Sequence, residues 1–180
     1  LPIKYDKIFT KLQNLFDTQD EFRPLIPTII KKANNDPKLI AKAFNIICEE
    51  EVIAANNFKA IDDSVNIINY FKSKNYSLCL VTMQCMNAAK IILDKMQILE
   101  LFSSIVTRDI LHERHLQIKK SIDVLPLSTN EIIMVGDRIN DVKSAKQVGC
   151  PVILFNKDKL NSFTECQVIS KLSELKKLIS

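Results

Sequence analysis

Apolar residues in the first part of the chain recur at the spacing of helices. Residues 8–16 place them on one face of a predicted helix, and 25–32 continue the same pattern. Asp36 is a suitable N-cap for a third, longer helix over 37–55. No segment of 1–58 has the pattern of a strand. We therefore predict an all-helical unit over these 58 residues.

After this unit, short apolar runs alternate with helical patterns. Strands are predicted at 76–81, 104–106, 131–135, 151–155 and 167–169, and helices at 63–74, 86–96, 117–124, 141–149 and 172–179. Strands that alternate with helices form a parallel sheet covered by helices. We therefore predict an α/β core over residues 59–180.

The segment from Glu131 to Gly149 combines a strand, an acidic loop and a helix. An apolar run over 132–135 is followed directly by Gly136 and Asp137, and Asp141 falls just inside the helix. Ligands of open α/β sheets bind at this carboxyl edge of the strands. A turn residue and a helix-favouring acid would explain the two aspartates, but two carboxylates here could also bind a hard cation such as Mg²⁺.

The run GDRIND, with the helix VKSAKQVGC and the strand PVILF after it, resembles the fourth motif of the haloacid dehalogenase (HAD) superfamily. The resemblance implies that Asp137 binds Mg²⁺ and that Asp141 is a second ligand or supports the metal site. It also implies the fold class: an α/β, HAD-like Rossmannoid core with a parallel sheet, plus an all-helical cap. The cap would be residues 1–58 and the core 59–180.

Two further family motifs have counterparts. SLCLVTMQ places Thr82 at the carboxyl end of a predicted strand, where the family has a Thr or Ser that binds a phosphate oxygen; a β-branched residue is also common at a strand end. The third motif is a basic residue, usually Lys. In HERHLQIKK the expected position favours Arg114 over Lys119, although both could be solvated surface charges. His112 and His115 form a weaker candidate for a metal pair.

The first family motif, DxDx[TV] with its nucleophilic Asp, has no counterpart. The nearest match, Asp6–Thr10, has Ile8 at the second acid and a helical pattern, so we do not assign Asp6 as the nucleophile. The chain opens with Leu1, and Leu1-Pro2 is how such chains continue after this motif. We therefore expect an upstream segment of roughly a dozen residues. Its strand would lie between the strands that end at Thr82 and Gly136.

Composition limits the possible classes of function. The chain is 47% hydrophobic with a net charge of +4, and its acidic and basic residues are interleaved, so we expect neither nucleic acid nor a membrane as partner. Five cysteines without a CxxC pair favour free thiols in a reducing compartment. No signal peptide is visible in these 180 residues, and no apolar run approaches the ~18 residues of a membrane span. We expect a cytoplasmic protein.

The resemblance implies a hydrolase similar to the phosphoglycolate phosphatase-like branch. Its Mg²⁺-dependent reaction would hydrolyse a small phosphorylated metabolite through an aspartyl-phosphate, in a monomer or homodimer. The missing first motif leaves an alternative open, a catalytically inactive HAD-like binding or scaffold module. A receiver-type phosphoacceptor domain ranks last because its acids would belong on the first strand.

Overall fold

The computed structural model describes residues 2–59, 63–157 and 165–179. The α-helices are α1 (Tyr5–Phe16), α2 (Leu25–Lys32), α3 (Pro37–Asn56), α4 (Ser64–Ser73), α5 (Met86–Lys95), α6 (Arg114–Asp123), α7 (Ile139–Gln147) and α8 (Leu175–Leu178). The strands are β1 (Leu78–Val81), β2 (Phe102–Val106), β3 (Met134–Gly136), β4 (Val152–Phe155) and β5 (Gln167–Ile169). No helix within these ranges is long and apolar enough to cross a membrane.

The chain forms two compact units. One comprises Leu1–Lys59 and Gln84–Leu93, and the other comprises Ala60–Met83 and Asp94–Ser180. Most of α5 therefore groups with the N-terminal helices. The domain bounds 1–58 and 59–180 remain a prediction. Residues Gln84–Leu93 belong to the predicted core but group with the N-terminal helices.

The first unit is helical, as predicted. Helices α1, α2 and α3 bury a cluster that includes Ile8, Leu12 and Phe22. The predicted N-cap is confirmed, because the Asp36 carboxylate accepts hydrogen bonds from the N–H groups of Lys38 (2.8 Å) and Leu39 (3.4 Å). The helical prediction for residues 6–10 is also confirmed, since they lie within α1.

A disulfide joins α3 to the residue before α5. Cys48 and Cys85 are bonded with their Cα atoms 5.6 Å apart, and the buried Glu51 carboxylate accepts a hydrogen bond from Cys85 N–H at 2.9 Å. The expectation of five free cysteines is thus wrong for this pair, although Cys79, Cys150 and Cys166 are free. The two positions are 37 residues apart, so only the packing of α3 against the start of α5 brings them together.

All the strand pairs are parallel, as predicted. They form two part-sheets: β1 pairs with β2, and β3 pairs with β4, which pairs with β5. In the described part of the chain, β1 and β3 do not pair with each other, so each has one edge without a ladder. The additional strand expected from the first family motif would lie between these two.

Helices α6 and α7 connect the part-sheets. Ile118 of α6 and Ala145 of α7 are buried in one apolar cluster, and Val81 of β1 and Met134 of β3 pack against it. Strands β1 and β3 therefore pack against the same pair of helices, without a direct ladder between them in the described residues.

Most element boundaries differ from the prediction by one to three residues, and two of these differences lie near the candidate site. Strand β3 begins at Met134 instead of residue 131 because its ladder partner begins at Val152, and the preceding Pro151 has no N–H with which to extend the ladder. Helix α6 begins at Arg114 instead of Gln117, and its first turn is closed by a hydrogen bond of 3.0 Å from Gln117 N–H to the Glu113 carbonyl. The sequence offers Asp62 or Asp63 as the N-cap of α4. Asp63 lies at this position, but its side chain makes no capping hydrogen bond, and Asp62 lies outside the described residues.

Candidate active site

Thr82 directly follows β1, and both of its backbone polar groups are engaged. Its N–H donates to the Val106 carbonyl at 3.0 Å, which continues the ladder to β2. Its carbonyl accepts a hydrogen bond of 2.9 Å from Gln117 Nε2. These two contacts fix the Thr82 backbone at the carboxyl end of the strand, where the sequence analysis placed it.

Asp137 and Asp141 lie at the end of β3 in different environments. Asp137 is exposed, whereas Asp141 is 4% exposed and lies in the first turn of α7. One carboxylate oxygen of Asp141, Oδ2, accepts a hydrogen bond of 3.2 Å from Arg138 N–H. The Asp141 side chain occupies the space above Gly136, because a Cβ atom at Gly136 would lie 2.5 Å from Asp141 Cβ.

Arg114, the first residue of α6, brings a positive charge to these acids. Its Nε lies 3.0 Å from Asp141 Oδ1, and both side chains are largely buried. Burial lowers the pKa of the Arg114 guanidinium from its usual value, and the charges of Asp141 and Asp137 act in the opposite direction. The guanidinium stays protonated at neutral pH. Arg114, Asp137 and Asp141 therefore form one electrostatic group.

Gln117 joins this group to Thr82. Its Oε1 accepts a hydrogen bond of 2.9 Å from Arg114 Nη1, while its Nε2 donates to the Thr82 carbonyl. A continuous network therefore runs from the end of β1 through Gln117 and Arg114 to Asp141. Sequence analysis missed Gln117, although its position three residues after Arg114 on a helix is a signal that could have revealed it.

Lys119, the second candidate for the basic residue, is not brought to this network. It is exposed, and it follows Arg114 by five residues, which rotates it by about 140° around the helix. The buried face of α6 carries Gln117, Ile118 and Ser121 instead. Of the two basic candidates, the structure brings only Arg114 to Asp141.

Sequence analysis also missed a pair of buried polar residues after β2. Arg108 is 2% exposed and its Nη1 donates a hydrogen bond to the Met83 carbonyl, in the loop that follows Thr82. Thr107 is fully buried, and its hydroxyl has no hydrogen-bond partner among residues 2–59, 63–157 and 165–179. The loop after β1 is therefore held by Gln117 on Thr82 and by Arg108 on Met83.

The donor chemistry at the end of β3 fits a hard cation. Mg²⁺ is bound in proteins through one or two carboxylates and retains several waters, and the exposed carboxylate of Asp137 suits such a site. Asp141 is already engaged by Arg114 and Arg138 N–H. Elsewhere in the described ranges, one close group of three such side chains is Cys48, Glu51 and Cys85, but its two sulfurs are joined in the disulfide and are not available as thiolate ligands. The group does not include His112 or His115.

Comparisons with known proteins agree with this architecture. The sequence profile described as haloacid dehalogenase-like hydrolase matches residues 11–155. A predicted phosphatase from Clostridium acetobutylicum has a similar structure, with a TM-score of 0.71 and 20% identity over 97% of this chain and 90% of that chain. A HAD phosphatase from Thermococcus onnurineus has a TM-score of 0.64 and 20% identity, over 98% of this chain and 86% of that chain.

A third similar structure is the HAD-hydrolase YfnB from Bacillus subtilis, bound to magnesium. Its TM-score is 0.63 at 16% identity, over 100% of this chain and 85% of that chain. No curated protein has a significantly similar sequence. The predicted fold is confirmed: a HAD-like Rossmannoid core with parallel strands and a helical cap. Because the family profile matches more than half of its 180 residues, the chain belongs to the haloacid dehalogenase-like hydrolases, a family of hydrolytic enzymes.

Proposed function

We propose that this chain supplies most of the active site of a Mg²⁺-dependent phosphatase that hydrolyses a small phosphorylated metabolite. The observation that carries the proposal is the network from Thr82 through Gln117 and Arg114 to Asp141, beside the exposed Asp137. Phosphoryl transfer needs little covalent chemistry from a protein beyond its nucleophile; it needs donors, positive charge and a metal at fixed positions. This network offers the donors and the positive charge at the carboxyl ends of β1 and β3, and the exposed carboxylate of Asp137 offers a ligand for the metal.

Thr82 and Arg114 are assigned to the substrate phosphate. The Thr82 N–H already donates to Val106, so the proposal gives the phosphate contact to the Thr82 hydroxyl. The guanidinium of Arg114 offsets the negative charge of the transferred group, and its partial burial strengthens this effect because water screens it less. Lys119, exposed on another side of α6, is not needed in this arrangement.

Asp137 is the residue that would hold Mg²⁺, and Asp141 would support the site by holding Arg114. When bound, the ion neutralises charge on the phosphate oxygens. The magnesium bound in the YfnB structure supports this assignment, since that protein shares the fold. The different burial of the two aspartates supports their different roles, because a ligand of a hydrated ion must be open to water.

The proposal assigns the nucleophile to a further strand, which would pair with the edges of β1 and β3 that have no ladder partner in the described residues. An aspartate there would attack phosphorus, the bond to the leaving oxygen would break, and the leaving alkoxide would take a proton to become the alcohol product. Water would then hydrolyse the resulting aspartyl-phosphate to inorganic phosphate and the free carboxylate. The ends of β1 and β3 would bring Thr82 and Asp137 to either side of this aspartate.

An inactive binding or scaffold module is the alternative. It is favoured by one observation: the nearest match to the nucleophile motif lies in α1, where Asp6 is exposed in the first turn of a helix and cannot serve as a strand-end acid. Such a module could still bind an anion through Thr82 and Arg114 but would release no phosphate.

Phosphate release from the full-length natural protein tests the proposal. A panel of small phosphomonoesters would be incubated with the protein and Mg²⁺, and again after chelation of the metal with EDTA. We expect hydrolysis only with the metal, its loss in Asp137→Asn, and wild-type rates in the matched control Lys119→Ala. Phosphate binding without turnover would support the alternative, and an active Asp137→Asn variant would refute the metal assignment.

A further inference from the structure

We propose that Gln117 is a positioning residue that orients the guanidinium of Arg114 towards the substrate phosphate. The inference rests on the proposed function, in which Arg114 binds this anion. Gln117 itself would not touch the substrate, because its side chain is fully buried. It would act through Arg114 and through the carbonyl of Thr82.

The hydrogen bonds of Gln117 permit only one orientation of its amide. Both N–H groups of the side chain are available for carbonyls, and Nε2 lies 2.9 Å from the Thr82 oxygen and 2.7 Å from the Leu111 oxygen. A rotation of the amide by 180° would turn Oε1 towards these two acceptors and Nε2 towards the donor Arg114. The two carbonyls therefore oblige Oε1 to face Arg114.

This fixed acceptor defines the plane of the Arg114 guanidinium. Oε1 accepts from Nη1 at 2.9 Å, while Nε lies 3.0 Å from Asp141 Oδ1 without an aligned N–H bond. The ion pair holds Nε beside Asp141, and Gln117 fixes the direction of Nη1. No hydrogen bond from the described part of the chain reaches Nη2, so this corner of the guanidinium is left for an anion.

The pairing also suits an arginine better than a lysine. An ammonium group is a compact charge that rotates freely on its stem, whereas a guanidinium is a planar fork whose direction decides which donors reach an anion. The basic residue of the third family motif is usually Lys, whereas this chain has Arg114, followed by Gln117 one helical turn later. The Arg–Gln pair acts as a unit in which the second residue aims the first.

The test combines binding with a direct observation of the guanidinium. In the full-length protein with Mg²⁺, the dissociation constant for inorganic phosphate would be measured for wild type, Gln117→Met, Arg114→Ala and the double variant. We expect Gln117→Met to weaken phosphate binding by about 10- to 100-fold, as loss of a supporting partner does at other sites. In the Arg114→Ala background the same substitution should have no further effect. An equal loss in both backgrounds would overturn the proposal.

Nitrogen-15 NMR of the Arg114 guanidinium separates this proposal from the proposed function. We expect slow rotation of the Nη groups in wild type and fast rotation in Gln117→Met. An ordered guanidinium in a wild type that binds no phosphate would refute the phosphate site but support the positioning role. An equally ordered guanidinium in wild type and in Gln117→Met would overturn the positioning role.

A second variant keeps the test decisive if Gln117→Met does not fold. Arg114→Lys leaves the buried Gln117 in place and preserves the charge, but it removes the planar fork. We expect it to bind inorganic phosphate nearly as weakly as Arg114→Ala. Wild-type affinity in Arg114→Lys would show that orientation is irrelevant and would refute the inference.

Discussion

Substitution of Gly136 by alanine tests how closely β3 and α7 must approach. The added Cβ atom would lie 2.5 Å from Asp141 Cβ, 2.9 Å from its Cγ and 2.8 Å from its Oδ2. Rotation of the Asp141 side chain would move the last two atoms away but not the first, because Cβ is attached directly to the backbone of α7. The strand end and the helix start would have to separate.

The expected cost follows from these contacts. Overpacking of this kind destabilises proteins by about 1–3 kcal/mol. The shift would also weaken the contacts of Asp141 with Arg114 and Arg138 N–H, and a buried group that loses its partner costs about 1–3 kcal/mol more. Alanine restricts the unfolded chain more than glycine does, which returns about 0.4–1 kcal/mol. A net loss of about 1–5 kcal/mol in the free energy of unfolding is expected.

The second glycine of the chain supplies a matched control. Gly149 has φ +71°, and an added Cβ atom would meet nothing within 4 Å, so Gly149→Ala introduces backbone strain of about 1–2 kcal/mol and no clash. Both variants would be unfolded with urea, and phosphate binding would be measured on the folded proteins. We expect only Gly136→Ala to disturb binding, because only it displaces Asp141. Wild-type stability and binding in Gly136→Ala would refute the reasoning.

Three further predictions concern stability. The disulfide closes a loop of 37 residues, so its reduction should lower the free energy of unfolding by about 3–4 kcal/mol, and the double variant Cys48→Ser with Cys85→Ser should show the same loss. In urea unfolding, reductant should not affect the double variant. Asp36→Ala should lower the free energy of unfolding by about 1 kcal/mol through loss of the cap of α3, whereas Asp36→Ser should keep most of the capping stabilisation. Equal losses of stability in the two variants by thermal unfolding would contradict the capping role. Lys119→Ala should change the free energy of unfolding by less than about 0.5 kcal/mol, because its side chain is exposed, and a larger change in urea unfolding would reveal an unrecognised contact.

The sequence could predict those residues of the candidate site that directly follow a strand. Thr82 and Asp137 each come directly after an apolar run, and the carboxyl ends of parallel strands are where ligands bind. The order of strands and helices was predictable for the same reason, since an apolar pattern reflects burial against a sheet. The cap at Asp36 could be predicted because it depends only on neighbouring residues.

Features that depend on packing between distant elements could not be predicted. Gln117 is a polar residue in an otherwise ordinary helical pattern, and its role exists only because α6 lies beside the end of β1. Cys48 and Cys85 show no recognisable spacing, because their approach depends on the packing of α3 against the start of α5. The sequence favoured Arg114 over Lys119, but the contact of Arg114 with Asp141 depends on where α6 begins, and this boundary was predicted three residues too late.

The two part-sheets also have a consequence for association between molecules. Within the described residues, the backbone N–H and C=O groups along one edge of β1 and one edge of β3 have no ladder partner, and both strands consist of apolar residues and glycine. Such edges attract extended segments of other chains. An extended segment from a second copy can therefore pair with β1 or with β3, which is strand exchange. A strand that pairs with these edges within one molecule would block such exchange, so coverage of the two edges would decide how strongly the protein associates with its copies as concentration rises.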